Sequence, residues 1–205
     1  MEVRDSDMPD EAVWSSFFDP QKILGAFGLD KGVHDLVEFG CGYGTFTLAT
    51  ARMASGTVYS FDINPEMIRV VRQKCRRERV TNVRLIARDF VAKGTGLPSG
   101  SIDAALLFNI LHHDEPAALV KESLRILKPG GRLAVIHWNH NSNTPFGPVM
   151  AIRPRPEECV AWGRRAGFAF DDGGQFNFPP CHYGLLLRKP SQPLGASDEQ
   201  VVDVT

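Results

Sequence analysis

From Asp35 onward, apolar runs of strand length alternate with segments of helix length, and this alternation most limits how the chain can fold. A strand covered on both faces reads as a continuous apolar run, and a parallel sheet flanked by helices covers its strands that way. The runs lie at 36–39, 57–61, 83–87, 102–108 and 132–138. The run at 102–108 is apolar nearly throughout, which predicts the centre of the sheet. Helices are expected at about 45–53, from Asn64-Pro65 to about Arg79, and at 116–127. Asn64-Pro65 is a cap followed by a proline at the first helical position, and Lys128-Pro129-Gly130-Gly131 stops the third helix. A helix at 156–165 ending near Gly167, a sixth strand at 168–170 and a seventh at 183–188 complete the pattern.

The turn between the first strand and its helix reads Glu38-Phe39-Gly40-Cys41-Gly42-Tyr43-Gly44. Alternate glycines let a backbone turn sharply and approach a ligand closely. The helix N-terminus behind them favours a negative group such as a carboxylate. Asp62 ends the second strand twenty residues after Gly42. An acid at that place can accept both hydroxyls of a ribose. The dinucleotide fingerprint would put a glycine where Thr45 stands. Glu38, two residues before the first glycine, suits a ligand carrying an α-amino group, which NAD lacks.

The stretch from Val37 to Trp138 resembles the class I S-adenosylmethionine-dependent methyltransferases, in their small single-domain form of type 11/25. The likeness rests on Glu38-x-Gly40-x-Gly42-x-Gly44, on Asp62 with Ile63-Asn64-Pro65-Glu66-Met67, and on Arg88-Asp89-Phe90 after the third strand. It continues through Asp103 to His113 on the fourth strand and Leu127-Lys128-Pro129-Gly130-Gly131 before the fifth. These motifs stand in the family's order and cover about half the chain. The resemblance implies a Rossmann-like, doubly wound α/β sheet of seven strands, mostly parallel with an antiparallel last strand. It implies S-adenosylmethionine as cofactor and S-adenosylhomocysteine as product. The glycine loop, Cys41 included, would hold the methionine portion, with Glu38 near its amino group. Asp62 would bind the ribose, and Ile63 and Met67 would pack on adenine. Asp89 would meet the exocyclic amine with Phe90 beside it, and Asn109 and Ile110 would lie along the sulfonium. Plainer roles compete: Gly44 as a helix-packing glycine, Asp89 as a helix cap, Met67 as core.

A sulfonium methyl is already activated, so the protein must place a nucleophile in line with it and exclude water. In open α/β sheets the ligand lies beyond the carboxyl ends of the strands. On the expected topology His112, His113, His137, His140 and His182 all fall on that edge. His113 and His137 are the candidates for a general base or acceptor-orienting group, against a plain structural role for each. No ligand spacing for a metal is visible, so none is expected. Cys41 and Cys181 would serve a thiophilic acceptor, although Cys41 reads more simply as a small loop residue.

Adenine and glutamine amide methyltransferases carry N/D-P-P-Y/F after the fourth strand, where this chain has Phe108-Asn109-Ile110-Leu111. The net charge of −1 gives no field that gathers nucleic acid or membrane. Arg69, Arg72, Lys74, Arg76, Arg77 and Arg79 form a run without interleaved aromatics, which reads as a solvated helix face. A small-molecule acceptor is therefore expected, with no nucleic acid and no membrane partner, in a monomer or homodimer. The segment 140–156 is the expected specificity element, with Asn141, Asn143, Phe146, Arg153 and Arg155 as candidates to line it. The two arginines would suit an acidic acceptor group or a solvated surface equally. Rival readings are a non-catalytic S-adenosylmethionine-binding module, an RNA methyltransferase and an NAD-binding dehydrogenase.

Length allows one domain of 205 residues with short appendages. We expect residues 1–30 to brace or lid the site, with Trp14, Phe17 and Phe18 leading into a short helix at Asp19-Pro20. Residues 31–189 would form the domain, and 190–205, a polar tail, would be disordered. The four cysteines form no C-x-x-C pair, so reduced thiols are expected. The acidic N-terminus lacks an apolar signal region, and no apolar run reaches membrane-spanning length, so cytoplasmic placement is expected.

Overall fold

The sheet has the strand order β3-β2-β1-β4-β5-β7-β6 in the computed structural model, which describes residues 9–29, 32–141, 144 and 146–191. Residues 1–8, the polar tail beyond 191 and Asn143 lie outside the described residues. The elements are α1 (Glu11–Ser16), α2 (Pro20–Ala26), β1 (Leu36–Phe39), α3 (Thr45–Met53), β2 (Val58–Asp62), α4 (Pro65–Arg77), β3 (Val83–Ala87) and α5 (Phe90–Lys93). Then follow β4 (Ile102–Phe108), α6 (Pro116–Ile126), β5 (Leu127–Trp138), α7 (Pro156–Ala166), β6 (Gln175–Phe178) and β7 (His182–Arg188). Strands β1 to β5 pair in parallel, and β7 runs antiparallel to both β5 and β6.

The chain steps outward from β1 to β3 and then returns to lay β4 on the other side of β1. That reversal makes a switch point at the carboxyl ends of β1 and β4, where a crevice opens between diverging connections. The register keeps this ledge level, since Phe39 pairs with both Phe61 and Leu107. Both faces of the sheet are buried. One carries Phe39, Phe61 and Leu107 towards α6 and α7, with Phe90 of α5 packed among them. The other carries Leu36, Ala104 and Ile136 towards α2 and α3, with Phe46 of α3 packed among them.

Local signals explain the helix ends. The Asn64 side chain accepts from the Glu66 N–H at 2.9 Å ahead of Pro65, and Ile68, Val71 and Cys75 give α4 its buried stripe. At the start of α7 the Glu158 carboxylate accepts from the Arg155 backbone N–H at 2.7 Å, and Gly167 ends that helix in the left-handed region at φ 110°. Among the described residues no helix is long and apolar enough to cross a membrane.

Three elements differ from the sequence reading. Helix α6 runs straight into β5, which starts at Leu127 rather than Arg132. Leu127 pairs with Ile102 and Arg132 with Ala104, so the residues between bulge out of the ladder. The sixth strand is Gln175–Phe178 and not 168–170, where only Ala169 bridges to Arg188. On this edge strand Phe176 and Phe178 face Phe27 while Gln175 and Asn177 face solvent, so it has no continuous apolar run. Helix α1 was not expected. Its start is fixed by Asp10, which accepts from Val13 N–H at 3.1 Å.

Helix α7 lies so close on β7 that a Cβ on Gly163 would come within 2.1 Å of Leu187 Cδ2. We expect Gly163→Ala to cost about 1–3 kcal/mol through overpacking, despite the better helix propensity of alanine. Thermal denaturation checks this, and an unchanged Tm would mean that Leu187 swings aside freely.

Candidate active site

The glycine turn sits on the switch-point ledge. Gly40, Gly42 and Gly44 have φ of 77°, 47° and 82°, a region other residues enter at a cost. Gly40 and Cys41 both donate backbone N–H bonds of 2.9 Å to Phe61 O, tying the turn to the end of β2. A Cβ on Gly44 would come within 2.9 Å of Val71 on α4, so this glycine also serves helix packing. Helix α3 begins at Gly44 with no side-chain cap, which leaves its N-terminal amides to a ligand carboxylate.

Asp62 faces this turn from the tip of β2. One of its carboxyl oxygens accepts from Gly42 N–H at 2.9 Å, and the other accepts from Asn64 N–H at 2.9 Å. A carboxylate has about four acceptor sites, so capacity remains for two hydroxyls. Burial raises its pKa, opposed by those two N–H donors. Cys41 lies against the same carboxyl, 3.8 Å away, and burial raises its thiol pKa. Glu38 is fully enclosed beneath the turn and accepts from Thr47 Oγ1 and Ser60 Oγ. Burial pushes its carboxyl up to about 7 against those two bonds.

Further along the ledge, Asp89 accepts from Ala92 N–H at 3.0 Å and so caps α5, which holds its carboxyl below the usual value. The Phe90 ring turns inward, against Phe39 at 5.4 Å and Phe61 at 6.3 Å, and braces the ledge from beneath. Ile63 and Met67 are half-buried, and the buried stripe of α4 starts one residue later at Ile68. Asn109 follows β4 at φ 52°, and both polar atoms of its amide are buried without a hydrogen-bond partner. Ile110 reaches over the turn, 3.0 Å from where a Cβ on Gly40 would stand.

The histidines occupy two sides of the sheet. His137 lies opposite Tyr183 and Trp138 opposite His182, so alternation sends His137 and His182 to different faces. His112 Nδ1 meets His137 Nε2 at 3.1 Å on one face. His182 sits on the other, between Trp138 at 4.2 Å and Phe18 at 4.6 Å, with neither ring nitrogen bonded. His113 Nδ1 accepts from Glu115 N–H at 3.1 Å, and its Nε2 is buried without a partner. Burial lowers the pKa of His112 to about 4 and of His182 to about 3, with the Arg153 charge acting in the same direction. His137 is also pushed well down, chiefly by burial.

Arg153 lies inside the segment that follows β5. It donates to the carbonyls of Asn139, Phe146 and Pro148 and to Thr144 Oγ1, and so folds the segment onto itself. No carboxylate among the described residues pairs with it. Arg155 is exposed at the cap of α7. In the basic run on α4, Arg69 pairs locally with Glu66 and is exposed, whereas Lys74 turns inward to bond Glu11 of α1 and the Tyr43 carbonyl.

A family described as "Methyltransferase domain" matches residues 37–135, from β1 into β5. Over this stretch the chain is similar to the class I S-adenosylmethionine-dependent methyltransferases. It is 30% identical over 141 residues to a ubiquinone/menaquinone biosynthesis C-methyltransferase UbiE of Pasteurella multocida, covering 67% of this chain and 50% of that protein. The chain thus spans half the length of that relative. It is 27% identical to a ubiquinone biosynthesis O-methyltransferase of Xanthomonas oryzae pv. oryzae, over 82% of this chain and 80% of the other. Its fold matches a SAM-dependent methyltransferase of Aquifex aeolicus with TM-score 0.77 at 23% identity, over 88% of this chain and 94% of that one.

The methyltransferase ledge fits the family's cofactor. The turn leaves backbone amides for a carboxylate, Asp62 keeps acceptor capacity for a ribose, and Asn109 at the end of β4 has a buried amide without a partner. Of the two histidines singled out from sequence, His137 lies in the sheet and His113 caps a turn. His112, His182 and Arg153 were not singled out for what they do here. Alternation along β5 separates His137 from Trp138, but no sequence signal sets the register that puts His182 opposite Trp138 or brings His112 onto His137.

Proposed function

We propose that this chain transfers the methyl group of S-adenosylmethionine to a small-molecule acceptor at the carboxyl edge of the sheet. The observation that carries the reading is the Asp62 carboxylate set against a left-handed glycine turn at the β1–β4 switch point. In this reading Gly40, Cys41, Gly42 and Gly44 cradle the methionine portion, and Glu38 supports it from below. Asp62 holds the ribose, Ile63 and Met67 flank the adenine, and Asp89 meets its amine while Phe90 supports that wall. Asn109 and Ile110 line the sulfonium. The acceptor's nucleophile is placed in line with the methyl, about 3 Å away and out of water. The named relatives, which act in ubiquinone or menaquinone synthesis, support a small acceptor.

Residues 9–29 act as a lid in this reading. Tyr43 on the glycine turn donates to Pro9 O at 3.2 Å, while Phe17 and Phe18 rest on Trp138 and His182 at the far end of the ledge.

Ligand-dependent melting with S-adenosylmethionine, S-adenosylhomocysteine, NAD and NADP tests the proposal. At about 100 times the dissociation constant a ligand adds ~2.7 kcal/mol, or roughly 5–10 °C here. Stabilisation by the first two alone, followed by methyl transfer in an acceptor screen, is expected. Stabilisation by a nicotinamide dinucleotide alone would overturn the reading, and cofactor binding with no acceptor would leave a binding module.

A further inference from the structure

Between the β4–α6 turn, the segment after β5 and α7 lies a cavity of about 480 Å³. Its apolar lining includes Leu111, Ile152 and Trp162, and His112 and His113 both line it. We propose that His112 receives the proton of a hydroxyl-bearing acceptor seated in this cavity, and that His137 positions His112 for that step. The proposal rests on the methyl-transfer reading and names the acceptor's chemical class within it.

Hydrogen-bond accounting on the two rings leads there. Neutral imidazole has one N–H and one lone pair. His112 Nδ1 and His137 Nε2 face each other, so one donates and the other accepts. We assign the hydrogen of His137 to Nδ1, the buried nitrogen that the pair does not use and that has no partner in the protein. His137 Nε2 then carries the lone pair and accepts from His112 Nδ1–H. This leaves a lone pair on His112 Nε2, which is buried and has no partner in the protein. His113 gives the complement. Its Nδ1 accepts from the Glu115 N–H, so its unpartnered Nε2 carries the hydrogen. A buried donor or acceptor left unpaired costs free energy, so both nitrogens call for a polar group from outside the chain.

A hydroxyl matches this pair because it both donates and accepts, whereas an ammonium only donates. Arg153, buried without a carboxylate beside it, repels an ammonium and favours oxygen that gains negative charge, and with burial the same charge holds resting His112 neutral, its lone pair free to accept. The carboxylates at the cavity, Asp114 and Glu158, are exposed at its mouth. When bound, S-adenosylmethionine supplies an electrophilic methyl, so the new O–C bond forms as the S–C bond breaks and its electron pair stays on sulfur. The hydroxyl proton passes to His112 Nε2. One positive charge moves from sulfonium to imidazolium, and the net charge of the site is unchanged.

The test uses the full chain saturated with S-adenosylhomocysteine and 4-nitrophenol as probe, its ionisation read from the phenolate absorbance. Native protein is expected to bind the probe, and His112→Ala to weaken it at least tenfold while the S-adenosylhomocysteine melting shift stays the same. Nitrogen-15 NMR should show His112 as the Nδ1–H tautomer, lost in His137→Phe. Equal probe affinity in native protein and His112→Ala, no probe binding, or a native Nε2–H tautomer would each overturn the proposal. Loss of the S-adenosylhomocysteine shift in native protein would instead remove the methyl-transfer reading, and this proposal with it.

Discussion

Asp62→Ala should abolish cofactor binding, with S-adenosylhomocysteine no longer raising the Tm at concentrations that saturate the native protein. Hydrogen bonds to a charged acceptor contribute about 1.5–3 kcal/mol each, so losing two ribose contacts weakens binding on the order of 100-fold to 10,000-fold. The same substitution frees the N–H groups of Gly42 and Asn64, which now donate to the carboxyl. Some loss of loop order therefore accompanies the loss of contact. Gly42→Val attacks the same site from the backbone. Gly42 stands at φ 47°, and a β-branched residue there strains the turn that must approach the ligand. Both variants should still unfold cooperatively, because Asp62 and Gly42 lie on the ledge and not in the two apolar layers. Titration calorimetry with S-adenosylhomocysteine checks the result. Near-native affinity in either variant would show that the cofactor lies elsewhere.

The βα alternation was readable because it depends on local periodicity and on caps such as Asn64-Pro65. The glycine turn was readable because its backbone needs glycine whatever surrounds it. Strand β6 was hidden, since an exposed edge strand with two inward phenylalanines imitates a loop, while the apolar run at 168–170 imitates a strand. Helix α1 was hidden too. Its six residues carry no periodic stripe, and it is held by aromatic contacts to Trp138 that only tertiary structure supplies. In the acceptor half, topology alone placed five histidines on one edge. What each does there depends on which face it takes and on the burial of Arg153, which sits in a segment with no regular period.

Glu38 should make the fold less stable as pH rises, and Glu38→Gln should remove that contribution. Its carboxyl is raised from an ordinary 4.5 to about 7, first by burial. The folded chain therefore holds this proton more tightly than the unfolded chain. Below about pH 4.5 both states are protonated and the group is neutral to stability. Between 4.5 and 7 the unfolded state ionises first, and stability falls by an amount on the order of 3 kcal/mol. The histidines act in the opposite sense. His112 and His182, lowered to about 4 and about 3, stay neutral in the fold, so their contribution is present above pH 6.5 and is lost as pH falls. The native profile sums both effects and need not slope downward. The difference between native protein and Glu38→Gln isolates the buried acid, because glutamine can still accept from Thr47 Oγ1 with its amide oxygen. Denaturant unfolding of both proteins at several pH values from 4.5 to 7.5 gives that difference. It should move by a few kcal/mol against the native protein as pH rises, and a flat difference would return Glu38 to an ordinary carboxyl.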